Sequence, residues 1–440
     1  MRNFEETRQV KRLAGALIGL MLLAAIANGL VTAFPSWPAG LCGWLAALLL
    51  LPQIPRQQRR QLALLVIVGL GALGVALAMG ELPPLIRLLD TNAGLLTMIA
   101  AVSFLRLVAM PHGNAQTALP VGPSAFRNSM IAVALFGCVI NISAAILIAD
   151  RLANNGKLTR LTSQSITRVF SGCPAWSPFF GGMAVVLTYV ANTDLLFVMI
   201  AGLPFALVGC LYVLLEAKLR YRDDLERFAG YPVTWASLWV PGVLACVVAL
   251  GYTTLGNTPI LIIIALSSLL VTSTVLVSRV GLAGSYQQLK DHVQHGLPGM
   301  AGELLLFIAA GILAVGLRAL VAAGDIALPL DSFSLLSACL LLGVIVLVAA
   351  AGIHPVIPVA VMTPILAPIH PDPQLLAVTY LLGWSLGTCA SPLSGTHLIF
   401  QGRYGIPSLQ GAMWNWPFVA AMYLVGLTLL AAVDWLRSTA

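Results

Sequence analysis

Ser171-Gly172-Cys173-Pro174-Ala175-Trp176-Ser177-Pro178 and Gly387-Thr388-Cys389-Ala390-Ser391-Pro392-Leu393-Ser394-Gly395 interrupt two apolar runs that stand about half the chain apart. Each places helix breakers and small polar residues where a hydrophobic helix should continue. In hydrocarbon an opened turn survives only where protein or a water-filled cavity satisfies the freed N–H and C=O groups. Matching interruptions in two halves point to a binding site near the bilayer midplane.

The remaining sequence supplies the bilayer setting. Of 440 residues, 59% are hydrophobic and 9% charged, with a mean hydropathy of +0.94, whereas a soluble chain carries roughly 25% charged residues. Runs long enough to span, about 17 to 25 residues, fall at 13–34, 36–53, 61–80, 92–110, 164–190, 196–217, 233–254, 258–279, 298–323, 373–401 and 410–436, about eleven crossings. They leave no stretch for a soluble domain.

The net charge of +7 lies in short clusters between apolar runs, so no nucleic-acid partner is expected and the charge reads as orientation by the positive-inside rule. Arg2, Arg8, Lys11 and Arg12 precede the first run; Arg56, Arg59 and Arg60 fill the loop 54–60; Lys218, Arg220, Arg222 and Arg227 fill 218–227. These loops and the amino terminus are predicted to be cytoplasmic, in a bacterial-type inner membrane. Without a small-residue cleavage site the first run reads as a retained helix. All seven cysteines sit in apolar segments and none forms a Cys-x-x-Cys pair, so neither disulfide nor metal is expected.

Two further apolar stretches, 128–150 and 332–368, do not fit as crossings. Arg127 precedes the first, and basic residues recur after it at Arg151, Lys157, Arg160 and Arg168, so both its ends are predicted to face the cytoplasm. It is predicted to be a re-entrant hairpin with its tip near 137–143. The second, flanked by Asp325, Asp331 and Asp372, turns near Gly352-Ile353-His354-Pro355. No Lys or Arg lies between Arg318 and Arg403, so it is expected to enter from the outer face.

An internal repeat accompanies these elements. Ile99-Ala100-Ala101 recurs as Ile308-Ala309-Ala310, Gly137 as Gly352, Cys173 as Cys389 and Ser177-Pro178 as Ser391-Pro392, at offsets of 209, 215, 216 and 214. The weight rests on collinearity, since each match alone is cheap. Three full crossings per repeat make the two repeats inverted. The predicted organisation is scaffold helices over 1–84, repeat 1 over 85–217 with the broken helix 164–190, scaffold and linker over 218–297, and repeat 2 over 298–436 with the broken helix 373–401. The linker 280–297 is too polar to span and reads as a short interfacial helix.

Candidate binding residues gather at tips and breaks. Asn141 and Ser143 lie where a half-helix begins, and half-helix amino ends suit anions while unwound carbonyls suit cations; the competing role is capping alone. His354, an ionisable group at depth, reads as a hydrogen-bond donor to substrate or a proton carrier, against a neutral imidazole satisfied by a carbonyl. Ser177, Thr388, Ser391, Ser394, Thr396 and His397 could form an oxygen cage around a small cation or merely bond back into kinked helices. The substrate set is Asn141, Ser143, His354, Thr388, Ser391 and Ser394; the cation set is Asn141, Ser177, Ser391 and Thr396. The sequence holds no phosphate loop, His-Glu-x-x-His, nucleophile elbow or paired intramembrane aspartates, so no enzyme and no cofactor are expected.

Over roughly 85–436 the pattern resembles the ion transporter superfamily, in particular the divalent anion:sodium symporters and their relatives, the TRAP large membrane subunits and citrate-metal symporters. In that family each hairpin tip carries Ser-Asn-Thr, binding substrate carboxylate and Na⁺. Here Ile140-Asn141-Ile142 keeps the Asn, and Gly352-Ile353-His354-Pro355 keeps none of the motif. The segment 387–395 is similar to the family's Gly-Thr-Pro-rich break without its Pro-Asn step. The resemblance implies an elevator motion and a homodimer. The expected function is ion-coupled secondary transport of a di- or tricarboxylate-like anion, with Na⁺ or H⁺ as coupling ion. The alternatives are an ion antiporter or metalloid efflux permease of the same superfamily, or a membrane subunit that needs a partner.

Overall fold

Glycine, proline and asparagine punctuate the helices of this chain. The computed structural model describes residues 2–31, 33–81, 86–108, 119–232, 239–256, 258–324 and 331–439. Among them no strand forms, only the isolated bridges Val121–Ala229 and Asn154–Lys157. In chain order the helices are α1 (Arg2–Leu30), α2 (Trp37–Leu50), α3 (Arg56–Ala78), α4 (Ile86–Asp90), α5 (Ala93–Ser103), α6 (Pro123–Ile140), α7 (Ile142–Leu152), α8 (Arg160–Ser171), α9 (Gly181–Tyr189), α10 (Leu195–Arg220) and α11 (Arg222–Glu226). There follow α12 (Trp239–Thr254), α13 (Ile260–Asp291), α14 (Ala301–Gly324), α15 (Leu335–Ala350), α16 (Val356–Leu366), α17 (Pro373–Ala390), α18 (Gly395–Tyr404) and α19 (Ser408–Thr439). Among the described residues eight helical stretches are long and apolar enough to cross a membrane, and four shorter apolar ones accompany them. The chain is an all-helical integral membrane protein.

The interrupted runs fold as broken helices, α8 and α9 around residues 172–180, and α17 and α18 around residues 391–394. The stretch 128–150 falls on two helices, α6 and α7, divided at Asn141, and the stretch 332–368 on α15 and α16, divided at residues 351–355. The polar linker continues α13, which is kinked at Gly281 (φ 71°), and a π turn at His292–Gly296 and a 3-10 turn at Leu297–Met300 lead into α14. One reading is corrected. Arg168, counted among the basic residues that orient the first hairpin, lies inside α8 and is 2% exposed, too buried to act as an orienting charge. Asp325, a flank of the second hairpin, falls outside the described residues.

The chain divides into two units, the first being Met1–Val108, Gly242–Asp331 and Ala360–Ile369, the second Ala109–Pro241, Ser332–Val359 and His370–Ala440. In the first, α3 packs closely on α14, because Gly69 and Gly316 let the backbones approach: a Cβ on Gly316 would lie 2.0 Å from the Gly69 carbonyl oxygen. Small residues at such seams are how membrane helices gain van der Waals contact where lipid offers no hydrophobic drive. In the same unit the His292 imidazole Nε2 lies 2.9 Å from the Ser103 hydroxyl and against the Phe104 ring, so the end of α13 folds onto the end of α5.

The second unit carries both broken helices and both hairpin turns. Ion pairs tie its helix ends: Arg403, near the end of α18, meets Asp150 of α7 at 2.5 Å, and Arg437 of α19 meets Asp372, the cap of α17, at 3.1 Å. Both pairs are exposed enough that each contributes little beyond register, at most about 1 kcal/mol.

Candidate functional site

The first hairpin turns on a single residue. Asn141 takes φ 56° and ψ −145° between α6 and α7 and accepts a hydrogen bond from the Ile142 amide on its own Oδ1 at 2.8 Å. Asparagine tolerates positive φ better than other non-glycine residues, and its side chain occupies one of the orphan donors at the start of α7. Ser143 is buried two residues further on. Ser177, in the first break, donates to the Cys138 carbonyl at 2.6 Å and accepts from the Phe179 amide. It therefore ties that break to the last turn of α6.

The second break begins where Ser391 leaves the helical region (ψ 123°) and ends at Ser394, the N-cap of α18. The Ser391 amide still donates to the Gly387 carbonyl, and its hydroxyl accepts from the Leu393 amide at 3.3 Å. Thr388 bonds back to the Trp384 carbonyl, as hydroxyls in kinked helices do. Thr396, in the first turn of α18, is 1% exposed, and its hydroxyl has no hydrogen-bond partner among the described residues.

These two turns meet. A Cβ on Gly395 would lie 3.0 Å from the Ile142 side chain, so the amino ends of α7 and α18 are neighbours. On the other side of the second break a Cβ on Gly352 (φ 91°) would touch Leu393 at 2.9 Å, and one on Gly387 would touch Pro355 at 3.0 Å. His354 stands edge-on to Trp384 at 5.3 Å, and its Nδ1 accepts from the Val356 amide at 3.2 Å. The structure thus gathers Asn141, Ser143, Ser391, Ser394 and Thr396 around two helix amino ends. His354 belongs to the turn behind Leu393, and Ser177 to the junction with α6.

Electrostatically the junction favours anions. Each amino end exposes N–H groups with no intrahelical partner and carries about half a positive charge. The carbonyls freed at the ends of α6 and α17 provide cation acceptors a few residues away.

Behind the second break runs a buried polar chain that the sequence reading missed. His397 Nδ1 lies 2.8 Å from the Ser391 carbonyl and 2.9 Å from the Ser394 hydroxyl, and its Nε2 lies 3.1 Å from the Asn415 amide nitrogen. Asn415 Oδ1 accepts from Arg168 Nε at 2.9 Å, and Arg168 donates further to the Trp414 carbonyl at 2.7 Å and to the Glu216 carboxylate. The guanidinium also lies against the rings of Tyr212 and Phe418. Because Arg168 can only donate, Asn415 must turn its oxygen to it and its NH₂ to His397. His397 then carries its proton on Nδ1 and donates to the second break.

Each nitrogen of Arg168 already donates to one of these partners, so it is no free substrate clamp. A sequence signal for the pair existed: Glu216 is a lone acid in Leu211-Tyr212-Val213-Leu214-Leu215-Glu216, and a lone acid in apolar surroundings calls for a buried cation.

No protein-family model matches the chain, and no curated protein does. Among solved structures it is similar to the YdaH transporter of Alcanivorax borkumensis, described as having an unusual topology, at 17% identity over 84% of each chain and a TM-score of 0.42. A likeness of that degree leaves the function to be argued from the chain's own residues.

Proposed function

We propose that the chain is an ion-coupled secondary transporter of a small organic anion of the di- or tricarboxylate type. The observation that carries the reading is the meeting of the α7 and α18 amino ends at Ile142 and Gly395, with the unpartnered Thr396 hydroxyl buried in the first turn of α18. A carboxylate is held by orphan N–H groups and hydroxyls in the way helix amino ends hold anions generally. Na⁺ or H⁺ serves as coupling ion, with Asn141, Ser177, Ser391 and Thr396 supplying oxygens for Na⁺. The unit with both breaks and both hairpin turns is the part that carries substrate, in an elevator motion within a homodimer of the inner membrane, amino terminus in the cytoplasm.

Thr396→Val tests this reading, because it removes the hydroxyl and keeps the shape. An unsatisfied buried hydroxyl costs about 1–3 kcal/mol. The variant is therefore expected to be at least as stable as the parent in the absence of ligand, yet to lose stabilisation by citrate or succinate in Na⁺ and to lose uptake into proteoliposomes. Stabilisation by both acids equal to that of the parent would refute the site.

A further inference from the structure

A cavity of about 680 Å³ opens in the second unit between the start of α6, the end of α10 and α11. Arg127, Lys218 and Arg222 line it, with Glu226 as its one acid. Arg222 reaches Glu226 only at 3.9 Å, across the exposed surface, and Arg127 and Lys218 take part in no ion pair among the described residues. The lining therefore keeps an excess of positive charge. Asp223 and Asp224 of α11 stand next in sequence but do not line it.

One wall of the cavity, the start of α6, is fixed in place. The bridge Val121–Ala229, the Gly122 amide donating to the Phe228 carbonyl at 2.9 Å, and the edge-to-face rings of Phe126 and Phe228 at 5.0 Å hold the start of α6 against the chain after α11. Ser124, also in the lining, belongs to the first turn of α6, whose N-cap Gly122 offers no side-chain cap. The amide groups of that turn add donors beside the three cations.

Above the cavity an apolar stripe leads away along α10. Leu219, Leu215, Leu211 and Leu207, four residues apart, are 79%, 49%, 53% and 60% exposed. They share one face and extend about 18 Å, roughly the depth of one leaflet of a ~30 Å hydrocarbon core. Lys218 sits at the polar end of this helix, and Arg222 opens α11 just beyond it. The same side of the unit holds Arg151, Lys157 and Arg403, near the end of the first hairpin. By the positive-inside rule it faces the cytoplasm, whose leaflet is rich in anionic lipid.

We propose that this cavity binds an acidic phospholipid, its phosphodiester on Arg127, Lys218 and Arg222 and one acyl chain along Leu219, Leu215, Leu211 and Leu207. A membrane-embedded chain has its lipid-facing stripes covered by acyl chains in any case. What singles out this place is that an exposed leucine stripe runs into a walled basic cavity at headgroup level. A lipid there would brace the loop between α10 and α11 against the first hairpin.

The test uses the purified full chain in detergent, by thermal shift and native mass spectrometry, with four probes: dioleoylphosphatidylglycerol, dioleoylphosphatidylcholine, glycerol phosphate and inorganic phosphate. Only phosphatidylglycerol is expected to remain bound and to raise the melting temperature. The triple variant Arg127→Gln, Lys218→Gln, Arg222→Gln is expected to bind it at least about tenfold more weakly, each cation near a lipid surface being worth about fivefold. Arg56→Gln, Arg59→Gln, Arg60→Gln, altered in another basic cluster, is expected to bind it like the parent. Equal binding of phosphatidylcholine, an equal effect of glycerol phosphate or inorganic phosphate, equal loss in both triples, or no retained lipid would each overturn the proposal.

Discussion

Glu216→Gln removes the carboxylate that balances Arg168. The two side chains are 9% and 1% exposed, so the remaining guanidinium cannot recruit water in place of its partner. Its bonds to Asn415 and Trp414 remain, but those groups are neutral. Leaving a buried charge without its partner costs about 3–5 kcal/mol. A unit of 150–250 residues shifts by roughly 2–4 °C per kcal/mol, so the melting temperature of the purified chain is expected to fall by about 6 °C or more. Arg220 supplies the control within the same network. It also bonds Glu216, at 3.3 Å, but is 66% exposed, and an exposed i,i+4 pair contributes only about 0.3–0.5 kcal/mol. Arg220→Gln is expected to shift the melting temperature by no more than about 2 °C. The measurement is a thermal-unfolding scan in detergent at fixed salt. A Glu216→Gln variant melting within 2 °C of the parent, or two variants equally destabilised, would refute the assignment of Arg168 as a buried cation held by one carboxylate.

Two further outcomes follow from the geometry. An Asn amide reaches about as far as histidine Nδ1 and a Gln amide about as far as Nε2, so His397→Asn can keep the bond to the Ser391 carbonyl while His397→Gln keeps only the contact with Asn415. If the second break helps to hold Na⁺, the Gln variant is expected to shift half-saturating Na⁺ in a citrate thermal-shift titration about fivefold, the worth of one net hydrogen bond, and the Asn variant less than twofold; equal shifts would count against His397 as the group that holds the break. Gly316→Ala would put a Cβ 2.0 Å from the Gly69 carbonyl oxygen, whereas Gly74→Ala meets nothing within 4 Å. The first is expected to destabilise by about 1–3 kcal/mol and the second to be neutral or slightly stabilising, both read from melting temperatures.

Local chemistry made the helices and the breaks legible in the sequence. Apolar runs in a chain with 9% charged residues dictate membrane helices, and Gly172, Pro174, Pro178, Pro392 and Gly395 interrupt them through effects that reach only a turn or two. The turn at Asn141 and the cap at Ser394 are likewise local, since each side chain serves an amide within three residues. Arg168 was beyond that reach. As a lone cation in the sequence it is indistinguishable from a loop charge; it becomes a buried one because Glu216 lies 48 residues away and Asn415 lies 247 away, and tertiary packing brings both to it. The contact between Ile142 and Gly395 is of the same kind. Burial and partnership across such separations are decided by how the broken helices pack, because desolvation and hydrogen-bond geometry depend on neighbours in space and leave no period or spacing in the chain.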